Sequence, residues 1–385
     1  MTEALAKPRL PERPGNKTYS VYEKADFYLD QRYKVYQVLG KGSYGTVCSA
    51  KDLTNEEDCF IAIKKLNSIF NKEVLLKRAV RELKLMNFFK GHRNIVNLVD
   101  LDIVSLKPYD GLYCFQELVE YDLAKVIHSS VQLSEYHIQS FLYQILCGVL
   151  YIHSADVIHR DLKPGNILIN SQGVLKICDF GLARGINSDY MKHNHKSSLI
   201  TNYVATRWYR APELMLCKRS YGKEVDMWAV GCIFVEFYGR RPIFIGNDQV
   251  HQLIEILKVL GTPSKDVVSS FGSSLAWDLF NNKLFYKKVE WKDLYPFVEN
   301  KYAYEIMDRL LCWDPTERYT VEECIANPFL KTVRNRNEEA VKTKPFDFTF
   351  EWRYCGLHEL NRLLRMEVDT FKANSNIVYD FDNLK

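Results

Sequence analysis

Apolar residues recur along this chain with two different periods, which predict strands in one part and helices in another. Short runs rich in aromatic and β-branched residues over residues 33–39 and 60–66 predict two strands. Apolar residues at helical spacing predict one helix over about residues 72–89 and another over residues 134–154. Together these elements predict an α+β protein.

A further hairpin is predicted where two short apolar runs, 167–169 and 174–177, flank the turn-forming sequence Asn-Ser-Gln-Gly. Folding about this turn brings the amide of Asn166 towards the carboxylate of Asp179. Both offer hard oxygen ligands, which suit a magnesium ion bound to phosphate. Asp161 lies on the approach loop, where it can accept a hydroxyl proton while the metal holds a nucleotide. The pattern predicts phosphoryl transfer.

Two sequences in this region resemble protein kinase motifs. They are H-R-D-L-K-P-G-N, which resembles the catalytic loop, and D-F-G, which resembles the metal-binding motif. The alternative is a polar hairpin with a few buried carboxylates, and it is favoured only if the other kinase motifs are missing. The resemblance implies transfer from ATP with Mg²⁺. It also implies that Asp161 accepts the proton, Lys163 neutralises the transferring group, and Asn166 and Asp179 hold the metal.

A glycine-rich sequence, G-K-G-S-Y-G over residues 40–45, matches a phosphate-binding pattern shared by several folds. A dinucleotide-binding unit would open a helix at its third glycine, but here the chain continues as strand. A P-loop would need Lys and Ser/Thr where Thr46 and Val47 stand. A glycine hairpin therefore remains, able to lay backbone N–H groups over phosphates.

Lys64 and Glu82 both occupy positions that favour apolar residues. The strand period places Lys64 on the face of Phe60 and Ala62, and the helical period places Glu82 on an apolar stripe. A buried charge needs a partner. By resemblance, Lys64 and Glu82 form the kinase pair that fixes the nucleotide phosphates; the alternative is a purely structural ion pair.

The kinase resemblance also implies an adenine pocket with a hinge at residues 117–119 and a gate at Gln116. The residues predicted to bind ATP are Leu39, Gly40, Lys41, Gly42, Ser43, Tyr44, Gly45, Thr46, Val47, Ala62, Lys64, Gln116, Glu117, Val119, Asp122 and Leu168.

A long loop after D-F-G ends in T-N-Y-V-A-T-R-W-Y-R-A-P-E. W-Y-R-A-P-E resembles cyclin-dependent and mitogen-activated protein (MAP) kinases, and Thr-x-Tyr before it resembles the MAP kinase phosphorylation motif. Thr201 and Tyr203 are thus the predicted phosphosites. The loop carries Asn202 where Glu, Pro or Gly is usual, and so resembles the fungal sporulation-specific type. The arginines implied to pair with the threonine phosphate are Arg81, Arg160 and Arg184, and with the tyrosine phosphate Arg207 and Arg210.

The region after the long loop agrees with the resemblance and departs from it at one place. Arg318 is expected to pair with Glu213, and residues 346–351 resemble the C-terminal extension of MAP kinases. The predicted segments are a flexible lead-in (1–30), a small lobe (31–117), a large lobe (118–330, with the activation loop at 179–213 and an insert at about 261–296) and the extension (331–385). MAP kinases carry an acidic docking patch, but residues 333–339 here place two arginines beside Glu338 and Glu339. The usual docking partners are therefore not expected.

Composition adds little to this picture and excludes some classes. The net charge is +4 over 385 residues without a basic block, so nucleic acid is not expected as a partner. The ten cysteines lack C-x-x-C pairs, which favours the cytoplasm or nucleus. The longest near-apolar run, 227–238, is too short to span a bilayer. The N-terminal residues lack a signal-peptide core.

We therefore predict a two-lobed kinase fold, with a small antiparallel β lobe, a large helical lobe and a C-terminal extension packed on the small lobe. The predicted activity is that of a monomeric, proline-directed serine/threonine kinase of MAP kinase type. An upstream activator or autophosphorylation would switch it on. Two alternatives remain open: a cyclin-dependent-like kinase, which Thr201 and Tyr203 oppose, and a pseudokinase scaffold, which the filled catalytic positions oppose.

Overall fold

The computed structural model describes residues 19–42, 45–54, 60–186, 206–216, 221–271, 285–354 and 356–374. The chain divides into two compact units, of which the first comprises residues 1–76, 98–118 and 361–378. The second comprises residues 77–97, 119–360 and 379–385. We call them the small unit and the large unit.

The small unit is built on antiparallel strands. A hairpin of β1 (Tyr19–Tyr22) and β2 (Phe27–Asp30) precedes a five-stranded sheet in the order β3-β4-β5-β7-β6. The strands of that sheet are β3 (Tyr33–Gly42), β4 (Gly45–Asp52), β5 (Phe60–Asn67), β6 (Leu98–Val104) and β7 (Gly111–Glu117). The two predicted strands are thus confirmed as β3 and β5.

The prediction of a flexible lead-in to residue 30 is wrong for residues 19–30. Phe27, Tyr28 and Leu29 are buried and belong to the same apolar cluster as Tyr113 and Phe115. Phe27 meets Tyr113 edge to face, with ring centroids 5.4 Å apart. These three consecutive large side chains, together with Tyr19 and Val21 packed against the same cluster, bury enough apolar surface to order the stretch.

The large unit is mainly helical. Its long helices include the two predicted at about 72–89 and 134–154, which are confirmed. The helices described are α1 (Glu73–Phe88), which begins in the small unit, α2 (Leu123–His128), α3 (Glu135–His153), α4 (Pro212–Leu216), α5 (Glu224–Gly239), α6 (Gln249–Leu260), α7 (Lys265–Phe271), α8 (Trp291–Leu294), α9 (Lys301–Leu310), α10 (Val321–Ala326), α11 (Phe350–Arg353) and α12 (Leu357–Asn374), most of which belongs to the small unit. In the part of the chain that is described, none of the helices combines the length and apolar character of a membrane span.

Helix α5 forms the centre of the large unit, with thirteen consecutive buried residues from Val225 to Phe237. Beside it, Arg318 and Glu213 form a fully buried ion pair through two bonds, of 2.7 and 3.2 Å. The guanidinium of Arg318 also lies 5.1 Å from the ring of Trp228. The predicted pairing of Arg318 with Glu213 is therefore confirmed.

From Asn361 onwards, helix α12 belongs to the small unit. Lys372 pairs with Asp102 of β6 at 2.9 Å, and Arg365 donates to the Ser105 hydroxyl at 3.3 Å. The buried face of the helix includes Val368 and Phe371. This arrangement confirms the predicted packing on the small lobe for residues 361–374 of the extension, whereas residues 331–360 belong to the large unit.

Candidate active site

The predicted hairpin after the H-R-D sequence is confirmed. Strand β8 (Tyr121–Asp122) pairs with β10 (Ile167–Ile169), which pairs with β11 (Leu175–Ile177). The carbonyl of Asn166 accepts the backbone N–H of Cys178 at 3.0 Å. The register of β10 against β11 therefore places Asn166 directly beside Cys178, the residue that precedes Asp179.

Asp161 is held by both of the polar residues predicted to act with it. Its Oδ2 accepts from Lys163 Nζ at 2.8 Å and from Asn166 Nδ2 at 2.8 Å. Asn166 Nδ2 also donates to the carbonyl of Asp161 at 2.8 Å. Because the Asn166 amide nitrogen is committed to these two acceptors, its oxygen is the atom left to serve as a metal ligand.

Asp179 adopts a left-handed backbone conformation, with φ 64°. Its side chain accepts the N–H of Gly181 at 3.3 Å, and its Oδ1 lies 3.4 Å from Arg78 Nη2. Left-handed conformations cost free energy in residues with a Cβ, although Asp tolerates them through such local bonds. Sequence reasoning missed Arg78, whose position one turn before Glu82 on α1 was the available signal.

The backbone of the H-R-D sequence is fixed by Asp226, another residue that sequence reasoning missed. Asp226 is 1% exposed, and its carboxylate accepts the N–H groups of His159 and Arg160, each at 2.8 Å. His153 Nε2 lies 2.9 Å from the same carboxylate. Burial by itself would raise the pKa of Asp226, but these partners outweigh it and hold the pKa below its usual value. The signal available in the sequence was the position of Asp226 immediately before the apolar run 227–238.

The small unit brings four of the predicted nucleotide residues onto one face of its sheet. Val47 lies opposite Lys64, and Ala62 lies opposite Gln116. Opposed residues on antiparallel strands share a face, as do residues two apart along one strand. Val47, Ala62, Lys64 and Gln116 are therefore neighbours, and strand register alone achieves this.

The glycine sequence forms a hairpin between β3 and β4, in which Gly42 pairs with Gly45 and Gly40 with Val47. Leu39, Lys41 and Thr46 lie on the same two strands. A Cβ on Gly45 would lie 2.1 Å from the carbonyl oxygen of Lys65, so only glycine fits there. At Gly40 a Cβ would meet nothing within 4 Å, which leaves the backbone open to an approaching phosphate.

The predicted hinge residues fall where the chain passes from one unit to the other. Glu117 ends β7 in the small unit, and Val119 is buried in the large unit. Asp122 lies opposite Leu168 in the β8–β10 pair and caps α2 by accepting the N–H of Lys125 at 2.9 Å.

The predicted phosphate-pairing arginines are held by several parts of the large unit. Arg81 is 4% exposed, and its Nη1 donates to the Gly181 carbonyl at 2.9 Å. Arg184 lies in β12 (Arg184–Gly185), opposite Ile158 of β9 (Val157–Ile158), and donates to its own backbone neighbours.

Three more arginines carry charges that act on one another. Burial lowers the pKa of Arg210, Asp161 acts in the opposite sense, and the positive charges of Arg207 and Arg160 lower the pKa further. Arg160, Arg207 and Asp161 are therefore close enough to Arg210 for their charges to act on it, and several positive charges in one region are the kind of environment that binds phosphate.

Some predicted site residues are not brought together by these contacts. Lys64 lies in the small unit and the buried Glu82 in the large unit, so their pairing stays a prediction. Ser43, Tyr44, Thr201 and Tyr203 lie outside the described residues.

Comparison with known proteins agrees with this site. The protein kinase domain family matches residues 33–330. The chain is 56% identical over 359 residues to the sporulation-specific mitogen-activated protein kinase SMK1 of Saccharomyces cerevisiae, which covers 92% of each chain. It is 45% identical to the mitogen-activated protein kinase mpkA of Aspergillus fumigatus, over 93% of this chain and 82% of that protein. For the mitogen-activated protein kinase SLT2/MPK1 of Saccharomyces cerevisiae the identity is 44%, over 92% of this chain and 72% of that protein.

The fold, the site and these relatives define a protein kinase with two lobes. Within that class the chain belongs to the MAP kinase family, and it is a serine/threonine protein kinase. Protein kinases in general use ATP and Mg²⁺, and MAP kinases act on protein substrates under the control of upstream activators. The cyclin-dependent-like and pseudokinase alternatives gain no support.

Proposed function

We propose that this kinase transfers the γ-phosphoryl group of ATP to serine or threonine residues followed by proline. The observation that supports the assignment of roles is the set of bonds at Asp161, where Lys163 and Asn166 both donate to Oδ2 at 2.8 Å. With one oxygen held, the other orients the substrate hydroxyl and accepts its proton. Lys163 then neutralises the charge that develops on the transferring group.

The residues present fit a nucleotide with Mg²⁺. Asn166 offers its amide oxygen and Asp179 a partly exposed carboxylate, a hard-oxygen donor set suited to Mg²⁺. When bound, the metal would neutralise phosphate charge. The backbone of Gly40 and Gly42 would approach the phosphates, and Lys64 with Glu82 would orient them. Ala62 and Gln116 would line the adenine pocket.

Activation by phosphate on both Thr201 and Tyr203 belongs to the same proposal. A phosphate dianion orders a loop when arginines lie within reach. Arg81, Arg160 and Arg184 would receive the threonine phosphate, and Arg207 and Arg210 the tyrosine phosphate. Proline after the target residue would fit the segment 204–210, of which residues 206–210 are described. Within it the Tyr209 hydroxyl donates to the buried Glu236 at 2.7 Å.

One assay tests these assignments together. Purified chain, before and after loop phosphorylation, is incubated with ATP, Mg²⁺ and a peptide library that varies the residue after the target serine. We expect phosphorylation of serine–proline peptides by the doubly phosphorylated form, and strong loss with Thr201→Ala or Tyr203→Phe. Equal turnover of proline and alanine peptides would refute proline direction. Full activity of the Thr201→Ala, Tyr203→Phe double variant would refute phosphate activation.

A role in spore formation is the biological side of this proposal, and the sporulation-specific relative supports it. In the organism that encodes this chain, an allele with Asp161→Asn should arrest spore formation while vegetative growth continues. Normal spores from that allele would show that this chain does not share the sporulation function for which its relative is named. The enzymatic assignment would stand in either case.

A further inference from the structure

A carboxylate from the C-terminal extension is bonded to one of the arginines assigned to the threonine phosphate. Glu351 of α11 is 5% exposed, and its Oε1 accepts a hydrogen bond from Arg81 Nε. The same guanidinium donates through Nη1 to the carbonyl of Gly181 at 2.9 Å. Arg81 therefore joins the C-terminal extension to the backbone of the D-F-G sequence, two residues beyond Asp179.

Neighbouring cations also act on the carboxylate of Glu351. Burial by itself would raise the pKa of Glu351, but the charge and hydrogen bond of Arg81 outweigh it, and Arg184 and Lys77 add to the effect. The pKa of Glu351 is consequently lowered, and the residue is ionised at neutral pH. A buried negative charge on Arg81 has the same sign as the phosphate that Arg81, Arg160 and Arg184 are proposed to receive.

Arg160, the remaining arginine assigned to the threonine phosphate, has different contacts. Arg160 stacks on Tyr221, with the guanidinium carbon 4.9 Å from the ring centroid. Its Nε is buried and, within the described part of the chain, has no hydrogen-bond partner. A buried donor without an acceptor is costly, so an anion arriving here would relieve that cost. Arg81 thus has an internal anion, whereas Arg160 keeps a buried Nε without an acceptor among the described residues.

We propose that Glu351 is an internal anion that holds Arg81 on Gly181 before Thr201 is phosphorylated, and so positions the D-F-G sequence for phosphoryl transfer. Glu351 is a positioning residue, because it acts through Arg81 and touches no reacting group. Phosphate on Thr201 then binds at Arg160 and Arg184 and supplies a second anion to Arg81, which reduces the dependence on Glu351. The inference rests on the proposed assignment of Arg81, Arg160 and Arg184 to the threonine phosphate.

The test is a double comparison of substitution and phosphorylation. Full-length wild type and Glu351→Gln are prepared with Tyr203 phosphorylated and Thr201 either unmodified or phosphorylated, and kcat/KM is measured on one peptide. Glutamine keeps the shape and an acceptor but removes the charge. Loss of a charge-assisted hydrogen bond predicts a fall of about tenfold or more without phosphate on Thr201. With that phosphate the fall should be less than about threefold, since a second anion compensates. Glu351→Asp should restore part of the activity.

Two controls keep the result decisive. Asp347→Asn removes an exposed negative charge from the same extension while keeping the acceptor that caps Thr349, and it should leave all rates unchanged. Mg²⁺-dependent ADP binding by calorimetry reports on the D-F-G segment even where turnover is too slow to measure, and it should follow the same pattern.

Three results would overturn the proposal. Equal losses with and without phosphate on Thr201 would make Glu351 merely structural. Unchanged rates and binding would show that Arg81 needs no internal anion, and a gain of activity would show that the pair restrains the kinase. A wild type whose activity ignores Thr201 phosphorylation would instead contradict the proposed activation, and the Mg²⁺–ADP comparison would still report on Glu351.

Discussion

Asp226 accepts the backbone N–H of Arg160 at 2.8 Å, so a carboxylate on the buried helix α5 fixes the backbone of the catalytic loop. Arg160 has φ 67°, a left-handed conformation that needs such support in a residue with a Cβ. Asp226→Ala would leave the N–H groups of His159 and Arg160 buried without an acceptor. We expect unfolding free energy to fall by about 3 kcal/mol or more, from the cost of unpaired buried donors. We also expect kcat to fall about tenfold or more, because the position of Asp161 depends on this loop. Urea denaturation and peptide kinetics check both, and an unchanged kcat would show that the loop holds its shape without Asp226.

The lowered pKa of Asp226 predicts a dependence of stability on pH. As pH falls, the unfolded chain takes up a proton at Asp226 before the folded chain does, so protonation favours unfolding. The contribution of Asp226 is thus present above about pH 4 and lost as pH falls through the lower folded value. Asp226→Asn should show a shallower loss of stability below about pH 4 than wild type. The exposed Asp347→Asn variant serves as control, and matching slopes for all three chains would contradict the prediction.

Asp161→Asn should separate catalysis from nucleotide binding. Asparagine can still meet Lys163 and Asn166, but it cannot accept a proton. We expect turnover to fall by about two or more orders of magnitude, the typical contribution of a positioned general base. Nucleotide affinity, measured by calorimetry, should stay near that of wild type. If affinity fell as far as turnover, Asp161 would be structural.

Residues 333–339, which stand where MAP kinases carry their docking patch, should bind generic basic peptides poorly, because arginines of the same chain already neutralise their carboxylates. Glu338 pairs with Arg93 at 2.7 Å, and Glu339 with Arg334 through bonds of 2.7 and 3.0 Å. The Arg334 hydrogen bond lowers the pKa of Glu339. Steering of a basic peptide needs carboxylates that are not already paired. The predicted consequence is dependence on a dedicated activator or on autophosphorylation.

Removal of the arginines that pair with these carboxylates tests the prediction of poor peptide binding. The double variant Arg93→Ala, Arg334→Ala should bind a basic docking peptide about tenfold or more tightly than wild type, with affinity that weakens as salt rises. Lys331→Ala, which removes a nearby exposed charge outside the two ion pairs, is the matched control. Micromolar, salt-sensitive binding by wild type that is lost with Glu338→Lys and Glu339→Lys would show an intact docking patch.

The N-terminal hairpin should stabilise the small lobe. Phe27 is fully buried against Tyr113, and Phe27→Ala should lower the unfolding free energy by about 3–5 kcal/mol, as for other buried phenylalanines. Tyr36→Ala, at a ring that is 48% exposed, should cost less than about 0.5 kcal/mol in addition to any strand-propensity effect. Thermal melting of full-length variants compares them. Similar melting temperatures would mean that the hairpin does not contribute to the folded core.

The sequence by itself determined the parts of this protein that depend on near neighbours. Strand period and turn chemistry act over a few residues, and three features follow from them. These are the hairpin that joins Asn166 to Asp179, the glycine hairpin, and the face shared by Ala62 and Lys64. The helix that carries Glu82 follows from apolar spacing in the same way. These local features also carry the motifs by which the kinase family was predicted.

Only the tertiary structure decided which distant charges meet. Glu351 reaches Arg81 across 270 positions of sequence, Glu338 finds Arg93, and Asp226 fixes the backbone at Arg160. The burial of residues 19–30 likewise depends on the sheet that covers them. Periodicity shows that a buried charge must have a partner, because desolvation without one is too costly, but it does not show which partner. That choice depends on the packing of segments that are remote in sequence.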